Sequence, residues 1–171
     1  SIYEKSVNEY LEVAASKSAT PGGGSVSAVV AANAAAMVSM VANLTLGKKG
    51  YDDVQGLAQE VVDATSKAIS DLKELTARDM QAFDIFMQAW RMPTDTDEQK
   101  KAKDEAMEKA AQNASTVPLE ICKVCLEILK QAARFAPVGN KGAISDVGVG
   151  AYVAEAAMKA AMLSVDINLP S

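Results

Sequence analysis

The chain has 171 residues, 49% of them apolar and 23% charged, with a formal net charge of −5. That length supports one domain with a real core, and an acidic balance disfavours nucleic acid as the main partner, because phosphate binding needs a basic face. There is no histidine, which excludes Ser-His-Asp and Cys-His nucleophile pairings and leaves acid–base work to Asp, Glu, Lys, Tyr or backbone dipoles.

The first residues, SIYEKSVNEY, carry acids where a secretory signal would place an apolar run, so a cytoplasmic location is the expectation. Residues 2–18 fit a short amphipathic helix, with Val7, Tyr10, Leu11 and Ala14 at helical spacing. Ala19, Thr20 and Pro21 break it, Gly22, Gly23 and Gly24 form a flexible corner, and Ser25 suits the N-cap region of the next helix.

From about residue 25 to 46 the chain is almost continuously small or apolar. Its length would just span a bilayer at ~20 residues. Ser27, Asn33, Ser39, Asn43 and Thr45 interrupt it, so the expectation is a buried central helix and no membrane. Gly47, Lys48, Lys49 and Gly50 then end it, with cations near the negative helix end. Asp52 and Asp53 open a long helix towards Met92, with Pro93 as its stop. Along it Ala58, Val62, Thr65, Ile69, Leu72, Thr76, Asp79, Phe83, Phe86 and Trp90 keep a three–four spacing. Asp79 is wrong for a core stripe.

Residues 94–98 read as a turn and the start of a charged helix. Pro118 restarts or kinks the chain. An amphipathic helix follows, with Leu119, Cys122, Leu126 and Leu129 on one face, and Cys122 and Cys125 read as two buried helix cysteines rather than a redox pair. A glycine-containing loop covers residues 136–144. Ser145 or Asp146 caps a final helix running to about Ser164, and the chain closes in VDINLPS. No stretch alternates with period two. The expected fold is all-α, a single-domain bundle of about five to six helices over residues 1–171, built around a buried Ala-rich central helix.

Several residues carry possible chemistry. The corner at 22–25 feeds a helix N-terminus, where free N–H groups attract anions, although a tight turn between packed helices explains the pattern equally well. Lys48 and Lys49 suit either a solvated helix end or a carboxylate-bearing ligand. An ionised Asp79 on a packed seam costs several kcal/mol unless paired. It therefore marks a tuned site or a buried ion pair. Asp146 sits in a first helical turn, where capping alone accounts for it, and Asn140 and Ser145 add hydrogen-bonding capacity nearby.

Taken together, TPGGGSVSAVVAANAAAMVSMVANLTLGKKGY, RDMQAFDIFMQAWRMP, STVPLEICKVC, GNKGAISDVGVGAYV and INL resemble, in order and over nearly the whole chain, the formiminotetrahydrofolate cyclodeaminase / methenyltetrahydrofolate cyclohydrolase family. The resemblance implies an all-helical homodimer that binds a tetrahydrofolate derivative in a cleft involving the dimer interface, with no metal and no cofactor beyond that substrate. It implies one of two reactions at the carbon between N5 and N10: closure of 5-formiminotetrahydrofolate to the 5,10-methenyl form with loss of ammonia, or hydrolysis of the methenyl bridge to 10-formyltetrahydrofolate. By this resemblance Asp79 and Asp146 are the acid–base candidates. Asn43, Asn140 and Ser145 are candidate contacts to the pterin or the intermediate. Lys48 and Lys49 are candidates for the glutamate tail, and Gly22, Gly23, Gly24 and Ser25 frame the site. Ser164 departs from the family, which has Asn before the Val of its closing V-x-I-N-L segment, and the family continues into a further long helix. The leading expectation is the cyclohydrolase, with the cyclodeaminase as alternative and a non-catalytic folate-binding module as the reading from a different class. The corner and the lysine turn lie at opposite ends of one helix, so they are expected to meet across an interface rather than within a chain.

Overall fold

A computed structural model describes residues 1–168; Leu169, Pro170 and Ser171, the end of the INLPS segment, lie outside the described residues. Five α-helices follow one another: α1 Val7–Ala14, α2 Gly23–Asn43, α3 Gln55–Trp90, α4 Asp97–Phe135 and α5 Ile144–Asn168. Single 3₁₀ turns at Ile2–Glu4 and Asp52–Val54 precede α1 and α3. Among the described residues there is no strand.

Short connections force α2, α3, α4 and α5 into an up-down-up-down bundle. Interhelical contacts fix the order. Arg78 and Arg134 of α3 and α4 pair with Glu120 and Glu60 on the opposite helix. Cys122 lies by the Met158 carbonyl, and Gly150 packs on Ala34 and Val38. Every neighbouring pair is therefore antiparallel, and α5 closes back onto α2.

Small residues make α2 the close-packed member. Ala28, Ala31, Ala34, Ala35, Val38, Val41 and Ala42 have no exposed surface, and Leu72, Ile121, Ile128 and Phe135 fill the space around them. Each of those larger side chains contributes about 1.5–3 kcal/mol on burial. The helix is long and apolar enough to cross a membrane by composition, but 56% of its most apolar window is buried among its neighbours. One face stays partly open, carrying Val26, Val29, Val30, Ala36, Met37 and Met40 around the exposed Asn33.

The helices differ from the sequence expectation in instructive ways. The segment expected as one helix over 2–18 is a 3₁₀ turn plus the eight residues of α1. None of α1 is buried, and Val7 is 76% exposed. Its apolar spacing is real, but only one face, at Tyr10, Val13 and Ala14, is part-buried. Capping boxes by Ser1 with Glu4 and by Ser6 with Glu9 cut the segment in two.

Pro118 does not restart the chain: α4 runs unbroken for 39 residues. The expected face is half borne out, with Cys122 buried and Leu129 packed on the core, but Leu119 and Leu126 are 46% and 47% exposed, and Ile121, Cys125, Ile128, Ala132 and Phe135 are buried in their place. Both sets keep helical spacing, and packing against three neighbours decides between them. Cys122 and Cys125 are both buried and unpaired by a disulfide. Burial pushes the Cys125 thiol up to about 12, which makes it inert.

α3 and α4, at 36 and 39 residues, outrun α2 and α5 at 21 and 25. α2 begins level with Asp79, and α5 ends level with Ala114. The last turns of α3 and the first of α4 therefore continue as a two-helix arm. For this reason the expected α3 stripe leaves the core beyond Ala82, and Trp90 is 58% exposed. The site lies in the crotch where four helices become two.

Candidate active site

Gly22 is the N-cap of α2 and supplies no side-chain hydrogen bond, so the first-turn amides of this helix are left to other partners. Asp79 of α3 fills the gap. Its carboxylate lies so close over Gly24 that a Cβ there would stand 2.7 Å from its carboxyl carbon. Only glycine allows this approach. Ser25, expected at the N-cap, is instead the buried third residue of the helix, its single hydroxyl proton within reach of either the Gly22 carbonyl at 3.2 Å or the Asp79 carboxylate.

Burial pushes the Asp79 carboxyl above its ordinary range, while the Ser25 hydroxyl and amide, hydrogen-bonding to the charged form, oppose part of that rise. No lysine or arginine pairs with it among the salt bridges of the described residues. The buried ion pair that the sequence left open is therefore absent there. What remains is a half-buried carboxylate on a helix N-terminus, its pKa held above the ordinary carboxylate range by burial, beside a cavity of ≈150 Å³. Gly23, Gly24, Phe83, Phe86, Ser164 and Asn168 contribute to its wall. A larger depression of ≈740 Å³ between the N-terminal turn and α3 contains none of the candidate residues.

A second polar cluster forms at the other end of α2. Gly47 and Gly50, with φ of 67° and 87°, turn the chain through left-handed positions. Buried Asn140 then locks the two loops together: its amide N–H donates to Thr45 Oγ1 at 3.0 Å and its side chain to the Leu44 carbonyl at 3.0 Å. Its Oδ1 accepts from Lys48 Nζ at 3.2 Å and from the Gly142 amide at 3.0 Å. The Lys141 amide donates to the Tyr51 hydroxyl at 3.0 Å. Lys49 is exposed, and Ser145 and Asp146 stand in the first turn of α5 next to this loop. Asn43 is exposed and spends its side-chain amide on the Ser39 carbonyl of its own helix.

One chain thus brings together Gly22, Gly23, Gly24, Ser25 and Asp79 at one end. It gathers Lys48, Asn140, Ser145 and Asp146 at the other. The 21 residues of α2 separate the two groups by roughly 31 Å at the helical rise. Asp79 and Asp146 do not share a site within a chain. The candidates missing from the sequence reading are Asn168, Thr45, Tyr51 and Lys141. Tyr51 and Thr45 flank the lysine turn, where a polar side chain beside a glycine turn was the available signal.

The fold and site define an all-helical bundle domain with an unpaired, half-buried carboxylate against a helix N-terminus and no histidine in the chain. The sequence model described as formiminotransferase-cyclodeaminase matches residues 6–171, so the chain belongs to that family. It is 38% identical to a methenyltetrahydrofolate cyclohydrolase of Methylorubrum extorquens, over 96% of this chain and 79% of that protein. It is 30% identical to the formimidoyltransferase-cyclodeaminase of Mus musculus, over 99% of this chain but only 31% of that much longer protein. The crystal structure of formiminotetrahydrofolate cyclodeaminase from Thermotoga maritima superposes with a TM-score of 0.88 at 31% identity, covering 98% of this chain and 80% of that one.

Proposed function

We propose that this protein is a tetrahydrofolate one-carbon enzyme that hydrolyses 5,10-methenyltetrahydrofolate to 10-formyltetrahydrofolate. The observation that carries this reading is Asp79, a carboxylate raised by burial, unpaired by any cation in the described chain, and open to a small cavity. Its charge favours the cationic methenyl group, and its raised pKa makes it a better base than an exposed carboxylate. Water adds its oxygen to the bridge carbon while Asp79 takes one of its protons. The resulting tetrahedral carbon bears a hydroxyl between N5 and N10. Loss of the hydroxyl proton forms the carbonyl, the bond to N5 breaks, and N5 takes up a proton. The formyl group stays on N10, with one net proton released.

The similarity to a cyclohydrolase over most of its length supports hydrolysis. The similarity to a solved cyclodeaminase supports the second reading, in which N10 attacks the formimino carbon and ammonia leaves through the same kind of tetrahedral centre.

A homodimer accounts for the two half-sites. An antiparallel pairing of two α2 helices about a twofold axis sets the glycine corner of one subunit beside the lysine turn of the other. Asn33, midway along α2 on its open face, would lie at that axis. In the assembled cleft Lys48 and Lys49 meet the glutamate tail, Asn140, Ser145 and Asn43 line the partner's side, and Asp146 approaches the reacting centre opposite Asp79. The deciding experiment supplies each folate separately. Loss of methenyl absorbance faster than in buffer supports hydrolysis, and ammonia release from the formimino compound supports deamination. Well-folded dimer that does neither overturns the enzyme reading in favour of a binding module.

A further inference from the structure

Pro118 sits in the middle of α4, where a proline removes one backbone hydrogen bond and its ring pushes away the carbonyl four residues back. That carbonyl belongs to Ala114, whose residue lines the Asp79 cavity. Just before the proline, Ser115 and Thr116 turn their hydroxyls onto the Ala111 and Gln112 carbonyls, a pattern that weakens the helical ladder. The sequence STVP thus leaves one missing backbone hydrogen bond in the otherwise continuous α4 beside the site.

The donor that Pro118 cannot supply comes from the end of α5. Asn168 Nδ2 donates to the Ala114 carbonyl at 3.2 Å and to the Ser164 carbonyl at 2.7 Å. Both partners are acceptors, so the side-chain orientation is fixed: the NH₂ group faces them and both its hydrogens are used. Oδ1 has no hydrogen-bond partner among the described residues, and Asn168 lines the cavity together with Asp79. The wall therefore carries a carboxylate from α3 and an amide oxygen from α5, which accept without donating, beside the hydroxyls of Thr20 and Ser164.

We propose that Asn168 Oδ1 is the second acceptor of the attacking water, and that Pro118, by freeing the Ala114 carbonyl, is the positioning residue that aims it. A water between two acceptors donates one hydrogen to each and is left with its lone pairs directed at the bridge carbon. Asp79 takes the proton it receives, and Asn168 takes none. This inference rests on the folate reading above, with Asp79 as the base. Ser164 serves it indirectly, because its carbonyl is the other anchor of the Asn168 amide.

The test is a double-mutant cycle on the full chain with methenyltetrahydrofolate. Asn168→Ala is expected to lower kcat about a hundredfold with KM within about threefold of wild type, since the lost contact is made to the water rather than to the folate. Pro118→Ala restores an N–H to the Ala114 carbonyl and releases the Asn168 amide. It is expected to lower kcat about tenfold while thermal stability holds or rises, and to add no further loss in the Asn168→Ala background. The side-chain amide resonances of Asn168, slow to exchange in the wild-type protein, should lose that protection in Pro118→Ala. Unchanged kcat in both variants, additive losses, or an Asn168 amide indifferent to Pro118→Ala each overturn the proposal. Wild-type protein that turns over neither folate overturns the functional reading and the role of the water with it. The amide resonance, read without substrate, tells that failure apart from a missing link between Pro118 and Asn168.

Discussion

Gly24→Ala adds one methyl group beneath the Asp79 carboxylate. The new Cβ would lie 2.7 Å from the carboxyl carbon and 2.8 Å from one of its oxygens. The carboxylate must withdraw by roughly 1 Å to regain ordinary contact, and a displacement of that size at a reacting group costs about a hundredfold in rate. Stability should change little. Alanine gains about 0.5–1 kcal/mol over glycine in a helix, against an overpacking cost of about 1–3 kcal/mol. The assay is kcat for methenyl ring opening alongside a thermal melt. Gly56→Ala in α3 is the control, because a Cβ there meets nothing within 4 Å. It should keep full activity and gain about 0.4–1 kcal/mol. Gly24→Ala at wild-type kcat would refute the placement of the reacting carboxylate on the α2 N-terminus.

Three further outcomes follow from the same geometry. Asp79→Asn should abolish turnover yet raise Tm at pH 7, because it removes a charge that burial disfavours. The folded carboxyl has its pKa raised, so its contribution to stability is present at low pH and lost as pH rises through that value. The Tm advantage of the variant should accordingly vanish below the ordinary carboxylate range, and an advantage that grows on acidification would contradict the cause assigned. Gly150→Ala should destabilise the fold by about 1–3 kcal/mol in a denaturant melt. Its Cβ would stand 2.7 Å from a Val38 methyl and 2.9 Å from the Ala34 backbone oxygen, which cannot yield without parting α2 from α5. Asn33→Lys, exposed in the single chain, should leave the fold intact but shift sedimentation towards monomer and lower activity at low protein concentration. An unchanged dimer places the twofold axis elsewhere.

Much of the bundle was legible because its signals are local. The helix start expected within residues 94–98 is there, capped by Thr96 with Gln99, and Gly47 and Gly50 take the left-handed turn positions. The alanine run of α2 could pack only where helices come close. Other features depend on tertiary context. Leu119 and Leu126 keep the same spacing as Ile121 and Ile128, and only the position of α3 and α5 decides which set is buried. Periodicity likewise extended the α3 stripe to Trp90, since nothing in the pattern announces that α2 stops at the level of Asp79. The separation of Asp79 from Asp146 was implied by the length of α2, whereas Asn168 in the cavity was not, because its role depends on a carbonyl of another helix.

The residues that broke local rules are the ones that meet. A carboxylate on an apolar seam, three successive glycines at a helix start and a proline inside a long helix are each unfavourable when judged by propensity alone. They come from three different helices, and the cavity at the crotch of the bundle is bordered by all three disturbances: Asp79 itself, Gly24 beneath it and the Ala114 carbonyl released by Pro118. Each exception also removes an obstacle for another. The glycine makes room for the carboxylate, the carboxylate answers the uncapped amides of α2, and the carbonyl freed in α4 gives Asn168 its anchor. If these were unrelated tolerances, reversing one would affect stability alone and leave the others undisturbed. If they form one site, Gly24→Ala and Pro118→Ala should lower the same kinetic constant although neither unfolds the bundle.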